Sequence, residues 1–212
     1  MGFTKVIEGG YCSATATRAE LLSRGTRGGL AVLAGGSALA LLATDADADT
    51  LPSTDLAYAR LLVGAELLAI NFYTQAVAAQ QFANSMRKHL QQALFNEQEH
   101  YRSVAGILSG AGQVPAVAGD INFSYPSGSF GSRSSIAMLG FELETTFVGA
   151  YVGAVGAMQT SSLLSGIASI GANEAQHLSL FSDQLYGRPI GVSFPPALTI
   201  DQASAALDAF TA

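Results

Sequence analysis

Charge is scarce in this chain: only 12% of its 212 residues are Asp, Glu, Lys or Arg, so any charge inside a helical stretch calls for a reason. Basic residues are few and scattered and the formal net charge is -6. That balance excludes a surface built to hold a phosphate backbone, and no nucleic-acid partner is expected. The single Cys12 cannot close an internal disulfide. Long apolar runs are also missing. The best of them, residues 30–43, is 14 residues long and carries Gly35, Gly36 and Ser37 in its interior, short and weak for a membrane span.

What charge there is has been concentrated. From Asp49 onward the glutamates are Glu66, Glu97, Glu99, Glu142, Glu144 and Glu174, and two of the three histidines, His100 and His177, each follow a glutamate by three residues. These positions form an internal repeat. Glu66 and the pair Glu97/His100 recur as Glu144 and the pair Glu174/His177, offset by 78 and 77 residues, each pair preceded by an asparagine (Asn96, Asn173) and each lone glutamate followed seven residues on by a tyrosine (Tyr73, Tyr151). His89, flanked by Arg87 and Lys88, reads as part of a solvated helix face.

Two regions are expected. Residues 1–48 have the layout of an export leader: Arg18, Arg24 and Arg27, then the apolar run, then a small-residue A-x-A ending at Ala48. They form either a signal peptide or a retained membrane or assembly anchor, placing the protein outside the cytoplasm or in the cell envelope. Residues 49–212 form the folded body. Pro52, with Ser53, Thr54 and Asp55 as possible caps, opens a first helix reaching about residue 82. The next helices are expected over about 85–109, 134–160 and 161–186, and Thr199-Ile200-Asp201-Gln202 reads as a capping box opening a short last helix to about 210. Helices 1 and 2, and 3 and 4, are tightly joined, whereas residues 110–133 make a long Gly/Ser/Pro-rich link. The body is thus all-α, two hairpins with one crossover between helices 2 and 3. Phe123, Tyr125 and Phe130 should hold that link against the bundle.

Helical spacing puts the repeated residues on the apolar seams: Leu62, Glu66, Ala69 and Tyr73; Leu94, Glu97, Tyr101 and Val104, with His100 on the shoulder; Phe141, Glu144, Val148 and Tyr151; Ile170, Glu174, His177 and Phe181. Glu142 lies about 200° round the helix from Glu144 and so off the seam, and Glu99 falls opposite Glu97 in the same way. An ionised carboxylate in an apolar core is costly unless paired or metal-bound, and the seams offer no Lys or Arg for pairing. Four carboxylates and two imidazoles, one Glu or Glu-x-x-His per helix, are the donors with which four-helix bundles hold two metal ions. Tyr73, Tyr101 and Tyr151 are candidate hydrogen-bond donors to the ligands, or else plain core residues.

The segments AELLAINFYTQAV (65–77), NEQEHYRSV (96–104), LETTFVGAYVGA (143–154) and NEAQHLSLF (173–181) resemble the ferritin-like superfamily. More narrowly they are similar to a ferritin-like domain group of bacterial, often exported proteins that also includes plant desiccation-related proteins. The resemblance covers residues 51–187, and the closing segment FPPALTIDQASAALDAF is similar as well. It implies a ferritin-like four-helix bundle with a short C-terminal helix and two Fe ions, with Mn as the alternative. Glu66 and Glu144 would be terminal ligands, Glu97 and Glu174 bridges, and His100 and His177 nitrogen ligands. Mixed carboxylate and imidazole donors suit those metals, while the lack of thiolates disfavours a structural zinc. Members of the superfamily oxidise Fe(II), activate O2, or reduce or dismute peroxides. The expected partner is therefore O2 or peroxide, and a homo-oligomer is expected. A non-catalytic, stress-protective assembly protein is the alternative. The paired arginines that some exported relatives carry in the leader are missing here.

Overall fold

The computed structural model describes residues 51–211, and the leader expected over 1–48 lies outside the described residues. Four long helices and one short one make up the body: α1 (Ser53–Ala78), α2 (Asn84–Gly110), α3 (Arg133–Ala157), α4 (Ser161–Tyr186) and α5 (Ile200–Asp208). The ends follow local chemistry. Ser132 caps α3 by accepting from the Ser135 amide, Thr199 caps α5 through the expected box with Gln202, and Gly187, at φ 61°, closes α4 in a left-handed conformation that suits glycine.

Two boundaries differ from the sequence expectation. α1 stops at Ala78 because Gln80 turns the chain with φ 52°, so the run to residue 82 becomes the hairpin link. α3 stops at Ala157, and Met158 goes extended to feed the Thr160 cap position of α4. Asp55 does not cap its own helix. It is fully buried, and its two oxygens accept from the amides of Gln159 (2.8 Å) and Thr160 (2.9 Å), tying the start of α1 to the α3–α4 turn.

α1 packs along α2 and α3 along α4 as two hairpins, α1 and α3 lie against each other, and α5 packs on both of them. Among the described residues α2 and α4 scarcely meet backbone to backbone. The crossover lies on the bundle. The Tyr125 hydroxyl donates to Asn71 Oδ1 (3.0 Å), Ser124 N–H donates to the Phe210 carbonyl (2.8 Å), and Phe123, Tyr125 and Phe130 pack against the core. After α4 the chain passes over α3 at Gly149 and Gly153, one turn apart. The Leu198 amide donates to the Gly149 carbonyl (2.9 Å), and the Leu198 carbonyl sits where a Cβ on residue 153 would be.

The core is divided along the bundle axis. One apolar cluster gathers around Phe72, Leu90, Ile136, Phe147 and Phe181. The other gathers around Tyr58, Leu62, Val104, Leu108 and Ile167. In α1, α2 and α4 the site residues sit where one cluster gives way to the other, and in α3 Glu144 lies within two turns of that boundary. By length and composition α1 could cross a membrane, yet it is a core helix here, with Leu62, Ala69 and Phe72 buried beside Glu66.

Candidate metal centre

Glu66 from α1, Glu97 and His100 from α2, Glu144 from α3, and Glu174 and His177 from α4 converge at that boundary, and all six are buried. The i,i+3 spacing places each histidine beside the glutamate of its own helix: Nδ1 lies 3.1 Å from Glu97 Oε2 for His100 and 3.2 Å from Glu174 Oε2 for His177. Each histidine also meets the glutamate of the opposite helix. His100 Nδ1 is 2.8 Å from Glu174 Oε1, and His177 Nδ1 is 2.8 Å from Glu97 Oε1. Glu97 and Glu174 therefore each present one oxygen to each imidazole. Glu66 and Glu144 stand at the two ends, 3.7 Å from His100 and 3.9 Å from His177 respectively.

The donors sort into two overlapping sets, Glu66/Glu97/His100/Glu174 and Glu97/Glu144/Glu174/His177, and within each set the ligand atoms lie within 4.8 Å of one another. Glu97 and Glu174 belong to both. Four buried oxygens, Glu66 Oε2, Glu97 Oε1, Glu144 Oε2 and Glu174 Oε1, have no hydrogen-bond donor. Two of them are 2.8 Å from a ring nitrogen but outside hydrogen-bond direction, a proximity we read as lone pairs aimed at a shared centre. Among the described residues, no Lys or Arg lies within ion-pair distance of the four carboxylates. Orphaned acceptors at this depth carry a large desolvation cost that cations would offset. The group can hold metal ions, and its donors fit a pair sharing two carboxylates.

Without metal, protons balance the charge. Burial, reinforced by the neighbouring Glu174, pushes Glu66 well above the usual carboxylate range. Burial likewise raises Glu144, against the His177 charge that favours ionisation. For Glu97 burial is outweighed by the close approach of the His100 and His177 imidazoles, and its pKa falls to about 2. Burial disfavours charged imidazoles, but contacts with Glu174 and Glu97 push His177 up to about 11, and contacts with Glu174, Glu66 and Glu97 carry His100 well above its ordinary value. Cations bound here would displace those protons.

Sequence spacing missed which helix each tyrosine serves. Tyr73 donates to Glu144 and Tyr151 to Glu66, each reaching across to the other half. Tyr101, expected among the candidate donors, is not at the site. Its hydroxyl donates to the Ala116 carbonyl (2.9 Å) and fastens the crossover, because it sits on the flank of α2 that faces that link. Asn96 joins the site instead, its amide 3.2 Å from His177 Nε2. The signal was the asparagine before each Glu-x-x-His, but the repeat misleads here, for among the described residues Asn173 makes no matching bond to His100. Glu142 is exposed, Glu99 pairs with Arg102, and His89 is exposed, as their helical positions require.

The class these features define is a ferritin-like helical bundle with buried carboxylate and imidazole groups able to hold metal. The chain belongs to the ferritin-like domain family, whose model matches residues 54–187. No curated protein matches the chain.

Proposed function

We propose that the protein is a dinuclear iron carboxylate protein, with manganese as the alternative metal, and that it is redox-active toward O2 or peroxide in the manner of a ferroxidase or a peroxide-detoxifying enzyme. The supporting observation is the double sharing of Glu97 and Glu174, one oxygen toward each histidine. A single-ion site needs no such division. An iron pair held by these residues would supply the electrons that reduce O2 or peroxide, passing from Fe(II) to Fe(III). The chain's own residues do the rest. Glu66 and Glu144 close the ends, the imidazoles present Nδ1, and the hydroxyls of Tyr73 and Tyr151 hold the terminal carboxylates in place. Asn96 engages the far nitrogen of His177, a contact of the kind that fixes ring orientation and tautomer. The apolar clusters on either side keep bulk water from the centre.

Metal analysis of the purified protein, with Fe(II)-dependent consumption of O2 or peroxide, tests this reading. A Glu97→Ala, His100→Ala variant should lose both metal and turnover, and equal activity in that variant would rule the reading out. A non-catalytic protective role for an assembly of the same bundle gains if metal binds without any such consumption. The layout of residues 1–48 supports an exported or envelope location, which fractionation of the host would test.

A further inference from the structure

Building on the two-ion reading, we infer that the cleft between α2 and α4 is the port through which hydrated divalent cations reach the centre, and that it opens on the half holding His100. Among the described residues the other approaches are closed. Along the axis the two apolar clusters plug the bundle, and a partly hydrated ion cannot cross them without shedding water into an apolar medium. On the α1–α3 side, Tyr73 and Tyr151 are fully buried, with their hydroxyls committed to Glu144 and Glu66. The hairpin pairs α1–α2 and α3–α4 pack along their lengths, and the cavity beside Thr145 and Ser179 on the α3–α4 face is lined by none of the six site residues. Between α2 and α4, in contrast, lies a cavity of about 330 Å³.

Its wall is largely apolar but is interrupted by polar groups that a hydrated cation can use. Ser103, Ser165, Ser169, Asn96 and Asn173 line it together with Glu99, whose carboxylate is paired with Arg102, no Lys or Arg is itself part of the wall, and His100 is. Oxygen donors of this kind replace hydration water around hard cations. Six waters at about 30 Å³ each occupy roughly 180 Å³, so an ion with its first shell fits. The histidines are also the most exposed of the six site residues, His100 at 8% and His177 at 5% against 2% or less for the carboxylates.

The two halves are not equivalent at this face. Both Asn96 and Asn173 line the cavity, but only Asn96 engages a histidine, at His177 Nε2, while among the described residues His100 stands in the cavity wall with no matching bond from Asn173. The repeat in the sequence is thus broken where the port opens. An ion arriving through the cleft meets the Glu66/Glu97/His100/Glu174 set first.

Stopped-flow uptake of Co(II) by the metal-free full chain, followed by its visible absorbance, tests this without reference to turnover. Ser165 and Ser169 are exposed on α4, so Ser165→Leu, Ser169→Leu fills the mouth without disturbing the core, and leucine favours helix more than serine does. The double variant should load at least tenfold more slowly than the parent while reaching the same final stoichiometry of two. Thr145→Leu, exposed on α3, should load at the parental rate. Ser169→Lys should also slow uptake, with the slowing relieved by added salt. Parental rates in the double variant, with two ions bound, overturn the port and leave the two-ion centre standing. A parent chain that binds no Co(II) overturns the two-ion centre and the port with it.

Discussion

Tyr73 donates its hydroxyl to Glu144, which lies 71 residues further along the chain and on another helix. Tyr151 returns the same bond to Glu66 across 85 residues. A tyrosine seven residues from a glutamate on one helix is two turns away, about 10 Å along the axis, too far for its hydroxyl to serve that glutamate. The antiparallel packing of α1 on α3 brings the other half's glutamate level with it, so each half of the repeat completes the other.

Removing one of these donors should be felt first in stability. Tyr73→Phe leaves Glu144 Oε1 without its donor in a fully buried position, at a cost of about 1–3 kcal/mol in the metal-free protein. Urea unfolding of Tyr73→Phe, of Tyr151→Phe and of the double variant checks this, and losses near zero in each would show that the hydroxyls hold nothing.

Terminal and shared carboxylates should differ in metal stoichiometry. Glu66 and Glu144 each belong to one donor set, Glu97 and Glu174 to both. Glu66→Ala or Glu144→Ala should therefore reduce binding from two ions to one, whereas Glu97→Ala or Glu174→Ala should weaken both. Elemental analysis after equilibrium dialysis gives the count, and indistinguishable counts for Glu66→Ala and Glu97→Ala would contradict the sharing.

Metal affinity should rise with pH. In the metal-free protein Glu66 and Glu144 titrate above the usual carboxylate range, while His177, raised to about 11, and His100, also raised by its carboxylate neighbours, hold protons at neutral pH. Binding must expel those protons, and mass action then favours the metal as pH increases. Calorimetry in buffers of different ionisation enthalpy measures the release. An uptake of protons on binding would reverse the assignment.

The metal-free fold should weaken in alkali. A histidine whose folded pKa exceeds its unfolded value stabilises fully below the unfolded value, near 6.5, and loses that contribution as pH rises through the folded value, here about 11 for His177. Bound metal replaces the protons and should flatten this decline, as thermal melts of apo and loaded protein between pH 7 and pH 11 would show.

Asp55→Ala should destabilise the bundle by about 2–4 kcal/mol, since two buried amides lose a charged acceptor, with metal stoichiometry unchanged.

Much of this was legible in the chain. Seam spacing was enough to align Glu66, Glu97, Glu144 and Glu174 with their apolar neighbours, and the long Gly/Ser/Pro-rich link set the crossover. Features that depend on which helices become neighbours were not legible: the exchange of Tyr73 and Tyr151 between halves, the contact of Asn96 with His177, and the use of Asp55 on a turn more than a hundred residues away. Tyr101 misled because a seam position three or four residues from a ligand can still point to the flank. The early end of α1 was hidden because nothing in the local composition marks Gln80 for a positive φ.

Anomalous diffraction from crystals of protein purified from its native host, collected across the iron and manganese edges, addresses the shared site most directly. Two peaks are expected, one inside Glu66/Glu97/His100/Glu174 and one inside Glu97/Glu144/Glu174/His177, with Glu97 and Glu174 reaching both. A single peak, or none with the same carboxylates held together by protons alone, would contradict it.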